Sequence, residues 1–245
     1  MKSAPKVQSG RHKRGLFISP LGHVVRTTVL QEPILFTVNN PADLIQKHHL
    51  RGEFYEPEEL AIIARHFPLG GSFLDIGANI GNHTLFVAKF LHAARVVCIE
   101  PNPPAIAILE SNVWLNGLTR IVDGAYLGIG LSDKPQENAA MAYRAKNLGG
   151  GRVVPGEGNI KLDRADRLLA GQRFDFVKID VEGMEMDVLS GMAGLLAEHR
   201  PKMFIEVDNA NGAQFQTWMK AAGYRVLEQF KRYPENTNYL VAPDT

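Results

Sequence analysis

The chain has 245 residues, of which 45% are apolar and 22% charged, with a net charge of +1. These proportions exclude collagen-like, disulfide-scaffold and wholly disordered classes, and the length suits one α/β domain with an N-terminal extension. Lys2, Lys6, Arg11, Lys13 and Arg14 put five positive charges and no acid into the first fourteen residues. Removing those five from the 27 Lys and Arg leaves 22 against 26 Asp and Glu, so the body is mildly acidic and a nucleic-acid partner is disfavoured.

Residues 1–15 lack periodicity and read as a disordered basic tail. No apolar run reaches the ~18 residues of a membrane span, and no apolar signal core follows the basic start. The single cysteine, Cys98, lies in the apolar run Val96–Ile99 and reads as a small buried hydrophobe. It permits no intramolecular disulfide, which fits a reducing, cytoplasmic compartment.

From Leu16 to Val38 two β-like runs are separated by Gln31-Glu32-Pro33, predicting a hairpin. Asn40-Pro41-Ala42-Asp43 predicts a short helix with Asn40 as its cap, and a second helix starts near Pro57 and stops at Pro68-Leu69-Gly70-Gly71. Beyond Gly71 strands and helices alternate. Strands are expected at 73–76, 96–99, 125–131, 174–179 and 203–207, with helices at 84–91, 104–115, 184–196 and 213–222. Residues 133–160 read as a loop-rich insertion. Strands at 224–227 and 239–242 close the chain without a helix between them. This order predicts a mostly parallel sheet with one antiparallel strand.

The strongest local pattern is Phe73-Leu74-Asp75-Ile76-Gly77-Ala78-Asn79-Ile80-Gly81-Asn82-His83-Thr84, a buried strand running through a Gly-bearing turn into a helix. That is the layout of a nucleotide-binding βα loop. Glu100 ends the next strand 19 residues after Gly81, a spacing suited to a carboxylate that accepts from ribose hydroxyls. A pyrophosphate fits poorly, because Asn79 occupies the place of the middle Gly and Asp75 would set negative beside negative. These features argue against a nicotinamide oxidoreductase. A cofactor with an ammonium and a sulfonium and no phosphate, S-adenosylmethionine, fits better. Asn102-Pro103-Pro104 resembles a base-methylation motif but follows the wrong strand, and reads as a helix start.

A second cluster, Lys178-Ile179-Asp180-Val181-Glu182-Gly183-Met184-Glu185, places Lys178 and Asp180 on one side of a strand, with Asp180 at its carboxyl end. Glu185 and Asp187 read as first-turn acids of the following helix. Asp180, Glu206 and Asp208 are oxygen ligands suited to a divalent metal if they converge, which sequence alone does not support. His83 is placed to face the cleft, whereas His48, His49, His66, His92 and His199 read as helix-surface residues and Trp114 and Trp218 as core.

Taken together, Asp75–Gly81, Glu100-Pro101-Asn102, Lys178–Gly183 and Glu185, with Gly52–Glu56 ahead of them and Pro201–Glu206 after, resemble the FkbM family of S-adenosylmethionine-dependent methyltransferases. The resemblance spans roughly residues 50–242. It implies a Rossmann-like α/β fold with the seven-strand methyltransferase sheet, a cofactor-binding domain over 71–245 and an N-terminal extension over 16–70. It implies O-methylation of a hydroxyl on a small-molecule or glycan acceptor: a sugar, glycolipid or secondary metabolite. By analogy Asp75, Gly77, Ala78, Asn79 and Gly81 line the methionine and ribose part, Glu100, Pro101 and Asn102 the ribose side, and Tyr55 and Glu56 close over the cofactor. Asp180 and Glu182 lie by the transferred methyl. A hydroxyl must also lose a proton, and Asp180 is the first candidate base, with His83 and Glu182 behind it. N-methylation, an RNA-directed activity anchored by the basic tail, and a non-catalytic binding module are the alternatives. Residues 16–52 and 147–158 are expected to shape the acceptor pocket. Neither the acceptor nor the oligomeric state is legible.

Overall fold

The computed structural model describes residues 15–19, 21–144, 147–154 and 158–244. Of the basic tail predicted over residues 1–15, residues 1–14 lie outside them, and Gly15 opens a strand. The centre of the fold is a seven-stranded sheet built from β4 (Ser72–Ile76), β5 (Arg95–Glu100), β6 (Val122–Leu127), β11 (Phe176–Ile179), β12 (Lys202–Asp208), β13 (Tyr224–Phe230) and β14 (Asn236–Pro243). The spatial order is β13-β14-β12-β11-β4-β5-β6. Of the seven strands β14 alone runs against the direction of the others, as the closing pair of strands predicted.

Alternation along the strands explains both faces. Phe73, Cys98, Phe176 and Phe204 join one core with α3 (Asn82–Phe90) and α4 (Pro103–Leu115). Leu74, Ile76, Val177, Ile179 and Ile205 join the other, under α6 (Glu185–Gly191), α7 (Ala193–His199) and α8 (Gly212–Ala221). Burial on both sides is what makes these strands read as continuous apolar runs. Cys98 is fully buried, as expected, and burial raises its thiol pKa.

The chain proceeds outward in opposite directions from β4 and β11, so the strand order reverses between them. A crevice therefore opens beyond their carboxyl ends. The residues that line the cleft lie at this edge.

The N-terminal hairpin is present as β2 (Gly22–Val29) and β3 (Glu32–Val38), with β1 (Gly15–Ser19) added outside β2. Its turn is Leu30-Gln31, both at positive φ, so Glu32 and Pro33 belong to β3 rather than to the turn. The other edge of β3 faces α4, and asparagines there stand in for a neighbouring strand. Thr37 N–H donates to Asn112 Oδ1 (2.7 Å), and Asn116 accepts from Leu35 N–H (2.9 Å) while donating to its carbonyl (2.8 Å). Spacing of four residues puts both amides on one helix face.

Several expectations are corrected. The cap of α1 (Leu44–Leu50) is Asp43, whose Oδ1 accepts from Ile45 and Gln46 N–H, rather than Asn40. The single strand expected at 125–131 is β6 followed by β7 (Ile129–Leu131), which leaves the main sheet. The presumed loop insertion is mostly strand: β8 (Gln136–Arg144), β9 (Asn147–Val154) and β10 (Ile160–Asp163) form a second sheet with β7. The long helix expected at 184–196 breaks at Met192 into α6 and α7. Gly191 sits so close to Ser132 that a Cβ would lie 2.1 Å from its carbonyl oxygen. Trp114 is 72% exposed instead of core, and His49 is buried, stacked on Phe36 at 4.2 Å, instead of on a helix surface.

Candidate active site

Two loops meet at the crevice. Gly77 follows β4 at φ +75°, and an added Cβ would come 1.8 Å from the Asp180 carbonyl oxygen. Glycine is required there both by the left-handed backbone and by this close approach. Asp180 N–H donates to the Ile76 carbonyl (3.1 Å), and Lys178 Nζ donates to the Gly77 carbonyl (2.9 Å). The βα turns after β4 and β11 are thus locked to each other.

Lys178 and Asp180 do share a face, as strand alternation predicts. Lys178 Nζ lies 3.3 Å from Asp180 Oδ2 and 3.3 Å from Asp75 Oδ1. Burial opposes the ammonium charge, but Asp75, Asp180 and Glu56 outweigh it and hold Lys178 protonated above its ordinary range. Asp75 is fully buried and also accepts from Thr84 Oγ1 at 2.7 Å. It lies beneath the cleft and lines neither of its cavities.

The smaller cavity, about 60 Å³, is lined by Ile99, Glu100, Pro101, Asn102, Leu131 and Leu162 among others. Glu100 is fixed by two backbone donors, Asn79 N–H to Oε2 and Asn102 N–H to Oε1, each 2.8 Å. Burial still lifts its carboxyl to about 7, against the pull of those two N–H groups. Gly130 and Gly151 bring the second sheet against this cavity.

The larger cavity, about 650 Å³, falls within the usual range for small-ligand sites. Tyr55, Glu56, Ala78 and His83 line it, while Gly77, Asn79, Asp180 and Glu182 line both cavities. Burial, then the Asp180 and Glu59 charges, raise Glu56 to about 8. Burial and neighbouring carboxylates likewise push Glu206 well above the usual range. Burial, with Lys178, lowers His83 to about 3, so the imidazole is neutral. Glu56, Asn79 and Glu182 are all non-glycine residues at positive φ, between 50° and 57°. Such backbone strain gathers at functional sites.

The predicted residues fall into three places. Tyr55, Glu56, Ala78, Asn79, His83, Glu100, Pro101, Asn102, Asp180 and Glu182 line the cleft with Gly77, and Asp75 supports it from below. Gly81 is away from both cavities: at φ +85° it caps α3, and an added Cβ would stand 3.2 Å from Leu109. Of the three proposed metal oxygens, Asp180 and Glu206 converge but Asp208 does not. Asp208 Oδ1 accepts from Ala210 N–H (2.9 Å) to cap a 3₁₀ turn at Asn209–Asn211. Glu182 takes its place in the cluster. Glu185 does more than sit by a helix N-terminus: it is buried, accepts from Gly183 N–H (2.7 Å) and from Asn211 Nδ2 (2.5 Å), and so braces the acidic turn.

Sequence reading misses the residues that hold the roof of the cleft. Asn82 Oδ1 accepts from Tyr55 N–H (3.0 Å) and His49 Nε2–H (3.1 Å), while its Nδ2 donates to the Tyr55 carbonyl (2.9 Å). This tautomer follows from the amide oxygen being the acceptor, and burial lowers His49 to about 4. Tyr55 Oη meets Tyr233 Oη at 2.6 Å, and Arg232 pairs with Glu58 and Glu59 at the start of α2 (Pro57–His66). The β13–β14 connection is thereby tied over the larger cavity.

Among the described residues, no helix is long and apolar enough to cross a membrane. The chain is 29% identical over 184 residues to the AMB antimetabolite synthetase AmbE of Pseudomonas aeruginosa, covering 57% of this chain and 8% of that protein. It is 24% identical over 162 residues to the methyltransferase sdnD of Sordaria araneosa, covering 51% of this chain and 61% of that one. It thus spans less than two thirds of either relative. The structure of methyltransferase FkbM from Methylobacillus flagellatus KT superposes with a TM-score of 0.54 at 16% identity, over 83% of this chain and 56% of that chain. A likeness at that identity shows the fold. The Methyltransferase FkbM domain model matches residues 75–226, well over half the chain and including both loops that meet at the crevice, and the chain belongs to the FkbM family of methyltransferases.

Proposed function

We propose that the chain transfers a methyl group from S-adenosylmethionine to a hydroxyl of a small-molecule or glycan acceptor, a sugar, glycolipid or secondary metabolite. The observation that carries this reading is the position of Asp180 on the border of both cavities, steadied by Lys178 at 3.3 Å.

The residues present fit the cofactor. Glu100 keeps lone pairs for ribose hydroxyls after accepting its two amides, and apolar Ile99, Leu131 and Leu162 beside it suit a purine face. Asn79 Oδ1 has no hydrogen-bond partner among the described residues and suits an ammonium or amine donor. Gly77 leaves the space that a Cβ would fill. Bound in this way, the cofactor supplies an electrophilic methyl on a sulfonium.

The chain's own part is alignment and proton removal. Well-oriented pairs reach effective molarities of ~10⁵ M or more, so positioning carries much of the rate. Asp180 is the carboxylate placed to take the proton of the acceptor hydroxyl, whose oxygen would receive the methyl that the bound cofactor would supply, with S-adenosylhomocysteine as the leaving group. Glu182 is the second candidate. His83, lowered to about 3, is too weak a base to rank above either.

Calorimetric titration with S-adenosylhomocysteine, with NADH as control, tests the cofactor; micromolar binding of the former alone is expected, and binding of NADH instead would overturn the reading. Asp180→Asn should keep S-adenosylhomocysteine binding and lose about 10²–10⁴-fold in turnover with a hydroxylated sugar acceptor. Loss of binding together with turnover would reassign Asp180 to holding the cofactor.

A further inference from the structure

The larger cavity contains a group of carboxylates that methyl transfer by itself does not require. Asp180 follows β11, Glu182 lies two residues on, and Glu206 is on the adjacent strand β12. The parallel register that pairs Ile179 with Ile205 brings Asp180 level with Glu206. One oxygen from each of the three carboxylates lies within 4.8 Å of the other two. Lys178 faces this group, but its charge is already shared between Asp180 and Asp75, each at 3.3 Å.

A second, separate observation points to a ligand. His83 lines the same cavity with its side chain 6% exposed, and its Nε2 has no hydrogen-bond partner among the described residues. The nearest carboxylate oxygen, on Glu56, is 3.8 Å away, beyond hydrogen-bond reach. Buried polar atoms are normally satisfied by protein, water or ligand, and this one belongs to a side chain that lines the acidic cavity, on the side of Glu56.

We propose that Asp180, Glu182 and Glu206 form a binding site for a divalent cation of the hard, oxygen-preferring class of Mg²⁺ and Ca²⁺. Three carboxylate oxygens and no sulfur select that class over softer metals. Such ions take about six or more oxygens, so positions remain for water and for an acceptor oxygen. A cation-bound water gives His83 Nε2 its missing partner. The cation's role, which rests on the methyltransferase reading above, is to seat an oxygen-rich acceptor beside the donor methyl. Its binding does not rest on that reading.

The test uses the full chain, stripped with chelator and titrated with MnCl₂ while free Mn²⁺ is followed by electron paramagnetic resonance. One Mn²⁺ per chain is expected, displaced by Mg²⁺ or Ca²⁺. Glu206→Gln and Glu182→Gln should each weaken binding by about tenfold or more. Glu198→Gln, exposed on α7, should leave it unchanged, and unaltered melting temperatures show that the variants fold. Absence of stoichiometric Mn²⁺ binding, or wild-type affinity in both cluster variants, overturns the site. S-adenosylhomocysteine titrated into the same samples separates the two ideas. Retained nucleoside binding without Mn²⁺ overturns the cation site alone, whereas Mn²⁺ binding without nucleoside binding supports the site and overturns the cofactor reading.

Discussion

The two ends of the cleft solve the burial of carboxylates in opposite ways. At the small, largely apolar end, Glu100 is held by two backbone amides whose geometry belongs to the turns after β4 and β5. At the larger end Glu56, Asp180, Glu182 and Glu206 face one another, with Lys178 as the cation among them. One end is finished by the backbone amides of the fold itself. The other gathers four carboxyl groups around one lysine, the arrangement on which the proposals above rest. Where a protein leaves acids in this condition, ligand and fold become thermodynamically coupled.

Removing the shared cation should break the comparison most severely. Lys178→Met leaves Asp75 buried and without its counter-ion, and stranded buried charges cost about 3–5 kcal/mol. Chemical denaturation should show a loss of that order; a loss below about 1 kcal/mol would mean that Lys178 is not what ties β4 to β11. Next is the roof. Asn82→Ala strips the Tyr55 peptide and His49 of their partners, and unsatisfied buried groups cost about 1–3 kcal/mol. Destabilisation of about 2 kcal/mol is expected, together with weaker ligand binding at the Glu56 end.

Glu100→Gln probes the finished end. The substituted amide presents a donor where both Asn79 and Asn102 N–H need acceptors. A 10- to 100-fold fall in S-adenosylhomocysteine affinity is expected, in line with about 1.5–3 kcal/mol for hydrogen bonds to a charged group. Calorimetry reads this directly, and an unchanged affinity would remove Glu100 from the ribose role.

The parts of this site that were legible share one property: sequence-local geometry dictates them. Gly77 and Asn79 sit in a single βα turn, and Lys178 and Asp180 follow strand alternation. What was hidden depends on partners far along the chain. β8 and β9 are rich in Ala, Gly and polar residues without clean alternation, and the pairing of β8 with β10 on one side and with β9 on the other makes them strands. Asn112 reads as an ordinary helix residue and Asn116 as the end of that helix until β3, some 75–81 positions earlier, is laid beside them. His49 resembled a surface histidine because α1 is short and polar, yet Phe36 and Asn82 enclose it. Asp208 was grouped with Glu206 by strand spacing, and a local cap claimed it instead. The seven-strand sheet and the cleft, with Tyr55 and Glu56 at its rim, were readable, while the long-range partners that hold Tyr55 in place, Asn82 and Tyr233, were not.

The gentlest test of the contrast is its pH dependence. Glu56 has its folded pKa raised from 4.5 to about 8, first by burial and then by Asp180 and Glu59. Between those values the unfolded chain has released the proton that the folded chain still holds. Stability from this group is therefore complete below about 4.5 and is lost as pH rises through about 8. Glu56→Gln, which cannot ionise, should melt a few degrees higher than the parent at pH 8 and alike at pH 4.5. A ligand carrying positive charge into the larger cavity should reverse the slope, because it favours the ionised carboxylate. Melting curves from pH 4.5 to 9, with and without S-adenosylmethionine, read both effects. If the parent and Glu56→Gln respond to pH and ligand identically, the acids at this end are not waiting for charge, and the difference between the two ends is one of shape alone.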